Sequence, residues 1–518
     1  MIPSSSLLSS IKKKWLAVSA LMLTLATSVS AQTNEFRAVW VDAWGTGFLN
    51  ASQVTTLINH CRTYNFNAII VQMRRRGDAF YMPQAPNLEP RTTAIASNFD
   101  ALQDIISKAN SGSPKIEVHC WIPTQLVGDS GSVNNAAHVM NTRPQYMMKN
   151  SLGAIHIGEG YYLDPGNPEA QIWNDNVAKD IVSRYNIDGF HWDYTRYPTT
   201  DSGYNDVAIA RYNAEYGLTG QPEPTDVQFS NWRRRQVTDF LRWANADLLE
   251  IKPNLIISAA VFASRSDAFN ARFQDWATWN NEGLIDICMP MNYTHLNSTF
   301  NSRVDDAFNN QGVRYVYMGP GGYLNTKENT AIQMNYALSK GLKGNVLYSY
   351  RTPNTNTVNQ AATFGHINTN VFNQTWVNTP ALPWKASPTK GILKGKVTRQ
   401  DTGAAVYNAV VSINSSPVRT ILTDAHGSYG FFETTPGTYT VTASGTGLGT
   451  VSGSATVTAG GVVTLNLVFP NDSIPPTISS VAANGVTDSS AIITWQTDES
   501  ATSVVNYGTT LAYGNTVS

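Results

Sequence analysis

The chain has 518 residues, 42% of them apolar and 14% charged, with 36 Lys and Arg against 37 Asp and Glu. That length admits about two to four domains, and the apolar share is ample for a buried core, which excludes wholesale disorder. The balanced charge argues against a nucleic-acid binder, which needs a basic surplus to neutralise phosphates. Three widely spaced cysteines, Cys61, Cys120 and Cys288, exclude a disulfide scaffold and a CxxC zinc or redox site.

In chain order, the first feature is an address. Lys12, Lys13 and Lys14 precede an apolar stretch from Trp15 to Leu25, too short to span a bilayer as a helix. Val29-Ser30-Ala31 fits the small-x-small rule for cleavage, so a signal peptide is expected over 1–31 with a mature start near Gln32. Its removal leaves 33 positive against 37 negative side chains. No later run reaches the ~18 apolar residues that a membrane helix requires, so no span is expected after cleavage. An exported protein is the expectation: secreted, periplasmic or held at the cell surface.

From 35 to 372, short apolar runs alternate with longer segments of helical spacing. The runs are Phe36 to Trp44, Ala68 to Met73, Lys115 to Trp121, Ile187 to Asp193, Leu255 to Val261, Leu284 to Tyr293, Arg314 to Gly319 and Gly344 to Tyr350. Helices are predicted over Ala51 to Tyr64, Asn98 to Ala109, Glu169 to Tyr185 and Trp232 to Glu250. Strand followed by helix, repeated eight times, is the arithmetic of an α/β fold of the (β/α)8 TIM-barrel type. A doubly wound open sheet would need a Gly-rich phosphate turn after the first strand, and Trp40-Val-Asp-Ala-Trp-Gly45 supplies none. Gly319-Pro-Gly-Gly322 reads as a turn, so no nucleotide or other cofactor is expected.

Texture changes beyond. Residues 373–390 are linker-like, with Pro380, Pro383 and Pro388 among Thr, Asn and Ser. Residues 391–469 alternate Val and Thr between Gly, Asp and Pro turns, as a small all-β sandwich would. A second linker, Asn471 to Pro476, leads to a β segment over 474–518 that includes Ala491-Ile-Ile-Thr-Trp495. Its about 45 residues fall short of the ~100 of an immunoglobulin-type sandwich, so an incomplete module is expected there.

In a closed barrel the reacting groups gather at the C-terminal strand ends, and strand residues alternate between interior and helix layer. On strand four Phe190 and Trp192 belong against the helices, which turns His191 and Asp193 inward with Asp193 nearest the mouth. Strand three turns Glu117, His119 and Trp121 inward, strand two Gln72 and Arg74, and strand one Asp42. With Trp44, Trp121, Tyr197 and Tyr293 around it, such a mouth suits a sugar ring, which offers C–H faces to aromatic rings and hydroxyl edges to polar groups. Each residue also has a structural reading. Asp193 pairs naturally with Arg196, Glu117 suits an internal ion pair, and His119 and His191 suit hydrogen-bonded core positions. Trp276 and Trp279 read as helix packing, Asp286 as a strand-start residue, and the triplets Arg74 to Arg76 and Arg233 to Arg235 as solvated or locally paired faces.

The segments Glu35-Phe-Arg-Ala-Val-Trp40, Val71-Gln-Met-Arg74 with Gly77-Asp-Ala-Phe-Tyr81, and Glu117-Val-His-Cys-Trp121 resemble glycosyl-hydrolase-like family 10. So do Leu163-Asp-Pro-Gly-Asn-Pro-Glu169, Asp188-Gly-Phe-His-Trp-Asp-Tyr-Thr-Arg-Tyr-Pro198, and Glu282 to Asp286 with Pro290 to Tyr293. The resemblance implies a TIM-barrel glycosidase exported by bacteria, with a polysaccharide as partner; relatives act on cell-wall glycan, notably peptidoglycan stripped of its stem peptides. Two positions depart from the family pattern: Met291 stands where a Gln is usual, and Cys120 where an Ala is common. Residues 391–469, with Thr423-Asp-Ala-His-Gly-Ser-Tyr-Gly-Phe431, resemble carboxypeptidase-regulatory-like sandwiches, and the tail resembles the start of a fibronectin type III module.

Glycoside hydrolysis generally takes two carboxyl groups, a proton donor and a nucleophile or base. Asp193 is the first choice as nucleophile or base, beside Arg196, whose charge is expected to keep it ionised. Asp275, after strand five where the family motif also has Asp, is the expected acid; Asp42, Asp78 and Glu117 stay open for that part. Substrate would be gripped by Asp42, Trp44, Gln72, Arg74, His119, Trp121, His191, Arg196, Tyr197, Asn292 and Tyr293. Two other readings compete: a non-catalytic glycan-binding barrel, and a metal-dependent hydrolase using Asp42, His119 and His191. The second lacks the His-x-His on strand one common in such barrels, and no metal is expected.

Overall fold

Short runs of β-branched and aromatic residues form eight strands: β1 Phe36–Val41, β2 Ala68–Gln72, β3 Glu117–Pro123, β4 Gly189–Asp193, β5 Ile256–Phe262, β6 Ile287–Asn292, β7 Tyr315–Val316 and β8 Gly344–Tyr348. They pair in parallel in the order β7-β6-β5-β4-β3-β2-β1-β8. The computed structural model describes residues 34–85, 89–129, 135–355, 359–471, 476–498 and 501–517; the leader expected over 1–31 and most of the 471–476 linker lie outside them. The ring closes beyond β7, where Met318 bridges to Asn345 and Gly321 to Tyr348. Strand seven is therefore shorter than predicted. Met318 turns its N–H to the Gly344 carbonyl at 3.1 Å, and Gly319–Pro320 then pairs with β6. A Cβ at Gly319 would stand 2.7 Å from the Trp40 ring, so glycine lets the chain pass there.

Helices α1 Ala51–Thr63, α2 Ala101–Asn110, α3 Pro168–Arg184, α4 Asp206–Tyr216, α5 Val227–Ile251, α6 Arg265–Ala271, α7 Trp276–Asn281, α8 Asn297–Asn309, α9 Lys327–Ser339 and α10 Gln360–Asn370 cover the barrel. Their starts are set by side-chain caps: Asn50 accepts from Gln53 N–H at 3.0 Å, and Asn167 accepts from Glu169 N–H at 3.1 Å with Pro168 at the first position. Outward strand residues supply the layer under the helices. Trp192 stacks edge-on to Phe240 of α5 and donates Nε1–H to Asn245 at 2.7 Å. Truncating a side chain of that size in such a core costs about 3–5 kcal/mol. Trp276 and Trp279 are buried in the same layer.

The inward set divides by depth. Phe36, Ala38, Trp40, Ala68, Ile70, Met289, Tyr317 and Val346 fill the barrel with Leu382, which comes from beyond the barrel. Segment 373–390 thus lies across the barrel floor: Thr379 donates to Glu117 at 2.6 Å and Trp384 Nε1–H to Asp286 at 2.6 Å. Asp286 also accepts from Ile257 N–H at 2.8 Å, as a strand-start residue should.

Beyond it, β9 Gly391–Arg399, β10 Val410–Ile413, β11 Arg419–Leu422, β12 Ser428–Thr434, β13 Gly437–Gly445, β14 Gly449–Val457, β15 Val462–Thr464 and β16 Leu467–Phe469 form two sheets, β12-β9-β15 with β16, and β11-β10-β13-β14. Leu393, Val411, Phe431, Val441 and Leu467 lie in the core between them. This sandwich leans on α5 through Lys394 with Asp247 at 2.6 Å and the edge of Trp243 on His426, and on α4 through Tyr407 with Glu215 at 2.5 Å. The last strands pair as two exposed hairpins, Ile478–Asn484 with Ile492–Thr497 and Val505–Tyr507 with Asn515–Val517. Among the described residues no helix is long and apolar enough to cross a membrane.

Candidate functional site

The C-terminal strand ends open into a cleft of about 830 Å³. Asp193, the last residue of β4, lines it while only 4% exposed. Its Oδ2 accepts from Trp121 Nε1–H at 3.0 Å, and its Oδ1 from Tyr194 N–H at 2.6 Å and Arg196 at 3.2 Å. Tyr194 reaches that position with φ of 52°, a left-handed conformation that costs a non-glycine residue roughly 1 kcal/mol or more. The Arg196 charge pulls toward the ionised form, but it is not the largest influence on this carboxyl. Burial dominates and pushes it above the usual 3.8, against the pull of the Arg196 charge and the three donors.

Beneath Asp193, His191 is wholly buried and does not line the cleft. Trp40 Nε1–H donates to its Nε2 at 3.1 Å, which leaves the proton on Nδ1, directed at Ser258 Oγ at 2.8 Å. Burial holds this imidazole well below 6.5, hence neutral, and it anchors Trp40, whose ring does line the cleft.

The walls are aromatic and cationic. Tyr293 stacks on Tyr348 at 5.1 Å and 27°, with Tyr323 edge-on to both. Trp121 and Trp44 also line the cleft, the latter 43% exposed with Arg75 and Arg76 over its ring at 4.6 and 3.9 Å. Gln72 lines the cleft, its Oε1 accepting from Ala43 N–H at 2.9 Å. Met291, in place of the usual Gln, lines it too, whereas Cys120 is buried in the outer layer.

Several predicted site residues are elsewhere. Asp275 caps α7, accepting from Thr278 N–H at 3.3 Å and Thr278 Oγ1 at 2.8 Å, and does not face the cleft. Asp42 is buried among Trp44 N–H, Ser349 Oγ and Arg351 Nε, at 3.1, 2.9 and 2.8 Å. Arg74 lies past the end of β2, where strand alternation no longer applies. Its guanidinium pairs with Glu89, donates to Asn174 at 2.7 Å and covers the Trp173 ring. Tyr197 packs edge-on to Phe273 behind the cleft. Asn292 faces α8, donating to the Phe300 carbonyl at 3.0 Å and accepting from Arg303 at 3.3 Å. His119 sits deep in the barrel with its Nε2 3.3 Å from Glu117, which is on the floor. Asp78 accepts from Arg76 N–H at 3.1 Å outside the cleft. Asp42, His119 and His191 are therefore never brought together, and no group of three metal-ligating side chains occurs among the described residues.

Sequence reasoning missed Glu159, Arg303, Tyr323, Tyr348 and Arg351, all of which line the cleft. Tyr348 was within reach by the alternation that turns Val346 inward. Glu159 had one local signal, an acid between two glycines, Gly158 and Gly160; its carboxylate lies 4.0 Å from Arg196 and accepts from Tyr162 OH at 3.2 Å. Arg196 therefore stands between two carboxylates.

Residues 392–470 match the family model of the carboxypeptidase regulatory-like domain. Over 260 residues the chain is 23% identical to glycosyl hydrolase DigH of Escherichia coli, covering 46% of this chain and 56% of that protein. Over 313 residues it is 23% identical to glycosyl hydrolase YngK of Bacillus subtilis, covering 54% and 58%. The chain thus spans a little over half the length of these curated relatives. Among solved structures, the PgaB (BpsB) glycoside hydrolase domain from Bordetella bronchiseptica aligns with a TM-score of 0.47 at 14% identity, covering 61% of this chain and 94% of that one. Residues 35–318, from β1 through β7 and more than half of the chain, match the family model described as glycosyl hydrolase-like 10, and the chain belongs to that family.

Proposed function

We propose that this chain is an exported glycoside hydrolase that cleaves a polysaccharide with two carboxyl groups, Asp193 and Glu159. The observation that carries the reading is a buried carboxylate opening into an aromatic-walled cleft, with a second acid across a shared guanidinium. Asp193 accepts every hydrogen bond it makes, which favours the ionised form needed of a nucleophile or base. Glu159 replaces Asp275 as the proton donor to the leaving oxygen. Of the other acids lining the cleft, Asp129 is paired with Arg76, and Asp267 lies 3.6 Å from Arg272 in the first turn of α6. Trp44, Trp121 and Tyr293 offer faces for sugar C–H surfaces, and Gln72 and Arg196 offer hydrogen bonds to hydroxyls.

A bacterial cell-wall strand freed of stem peptides fits the lining. Arg75, Arg76, Arg303 and Arg351 face the cleft, and such a strand repeats a carboxylate on alternate sugars. The leader pattern over 1–31 supports export, and the glycosyl hydrolase relatives support a glycan substrate. A second reading, a glycan-binding barrel without turnover, draws on the Glu159 side chain being 60% exposed, unusually open for a proton donor. The test is reducing-end release from purified, amidase-stripped glycan strands by the wild-type protein and by Asp193→Asn. Turnover that disappears in the variant while strand binding persists supports hydrolysis. Binding without release by the wild type would establish the second reading instead.

A further inference from the structure

We propose that the cleft continues into a second glycan-binding groove, so that the protein holds a long strand across its mouth and cuts within it. The inference deepens the glycosidase reading and rests on it. A depression of about 680 Å³ adjoins the main cleft and shares three of its residues, Ala263, Ser264 and Arg303. Arg303 is held at the boundary by its bond to Asn292 and faces both spaces. Beyond it the groove is lined by Ser298, Thr299 and Ser302 on α8 and by Arg265, which pairs with Asp306 at 3.3 Å.

The two spaces differ in chemistry. The main cleft carries the rings that grip one or two sugars by their faces, whereas the groove has no aromatic side chain in its lining. Its hydroxyls, the guanidiniums of Arg265 and Arg303 and the Asp306 carboxylate can bond to sugar hydroxyls and acetamido groups without fixing a ring face, which suits the trailing units of a chain rather than the units being cleaved. A ligand that fills only the main cleft gains nothing from this surface. The ligand class is therefore a polysaccharide strand, and affinity should grow with length after the main cleft is full.

The test uses the full chain carrying Asp193→Asn to block turnover, with a disaccharide and long strands of amidase-stripped cell-wall glycan as probes in calorimetric titration. Ser302→Leu removes a hydroxyl and fills the groove on an exposed helical position; Arg265→Ala removes the guanidinium without adding bulk. The expected result is that the parent binds long strands more tightly than the disaccharide. Each variant should lose about tenfold on long strands, about one hydrogen bond or two, with disaccharide binding unchanged. Equal affinity of the parent for both probes, or unaltered long-strand binding in both variants, overturns the groove while leaving the glycosidase reading intact. Failure of the parent to bind either probe overturns both.

Discussion

The floor and the mouth of the barrel both hold polar side chains on the inward face of the same strands, and they use them in opposite ways. At the floor, Glu117 and His119 on β3 face each other, and Thr379 completes the set from the segment crossing below. At the mouth, Trp121 two residues on donates to Asp193, and that carboxylate, together with Arg196 and Glu159, faces open space. Alternation on one strand thus delivers a closed hydrogen-bonded arrangement at one end and a cavity-facing one at the other. Inward polarity by itself does not mark chemistry; what marks it is a polar group left facing a cavity.

That contrast can be broken at four points. Asp193→Asn should lower kcat about ten-thousandfold with the melting temperature close to that of the wild type, measured by reducing-end release and calorimetry. Because burial raises the Asp193 pKa, the acid limb of kcat/KM should fall at a pH above the ordinary 3.8. The sign follows from the need for an ionised base: activity is present above that limb and lost as pH drops through it. An acid limb at or below 3.8 would contradict the burial argument. Glu159→Gln should cost about a hundredfold or more, with a substrate bearing an activated leaving group, which departs without protonation, restoring part of the rate, as for a lost proton donor. Wild-type turnover in that variant would return the acid role to another residue. At the floor, Glu117→Gln should leave turnover unchanged and lower stability by about 2 kcal/mol through weakened pairing with His119 and Thr379, read from denaturant midpoints. Asp275→Ala should do least, costing about 1 kcal/mol by loss of the α7 cap and nothing in rate; a collapse of kcat would restore it to the catalytic pair.

The sequence carried the barrel because eight β-then-α units announce themselves through period and spacing, and helix bounds came within a few residues because caps such as Asn50 and Asn167 are local. It carried Asp193 and Trp121 because strand alternation places them without knowledge of anything distant. It failed wherever direction is set after a strand ends. Arg74, Tyr197 and Asp275 each sit in a loop or cap whose path depends on distant partners, Glu89, Phe273 and the α7 N-terminus. Glu159 gave only a faint local signal for the same reason in reverse: the short hairpin that carries it, His156–Ile157 with Gly160–Tyr162, is separate from β4 in sequence yet brings it to the mouth. The segment 373–390 read as a linker because its prolines are local, while its docking through Leu382 and Trp384 is not.

Strand four carries a final lesson. Asp188 accepts from Val118 N–H at 3.0 Å, and a side chain at Gly189 would run into the His119 ring. Trp192 and Tyr197 are spent on packing, and His191 on holding Trp40. Between Asp188 and Pro198, only Asp193, Tyr194 and Arg196 meet the cleft. This part of the family-matched region is thus chiefly architectural. A descendant could keep nearly all of it, trade one carboxylate for an amide, and still score as kin while having given up turnover.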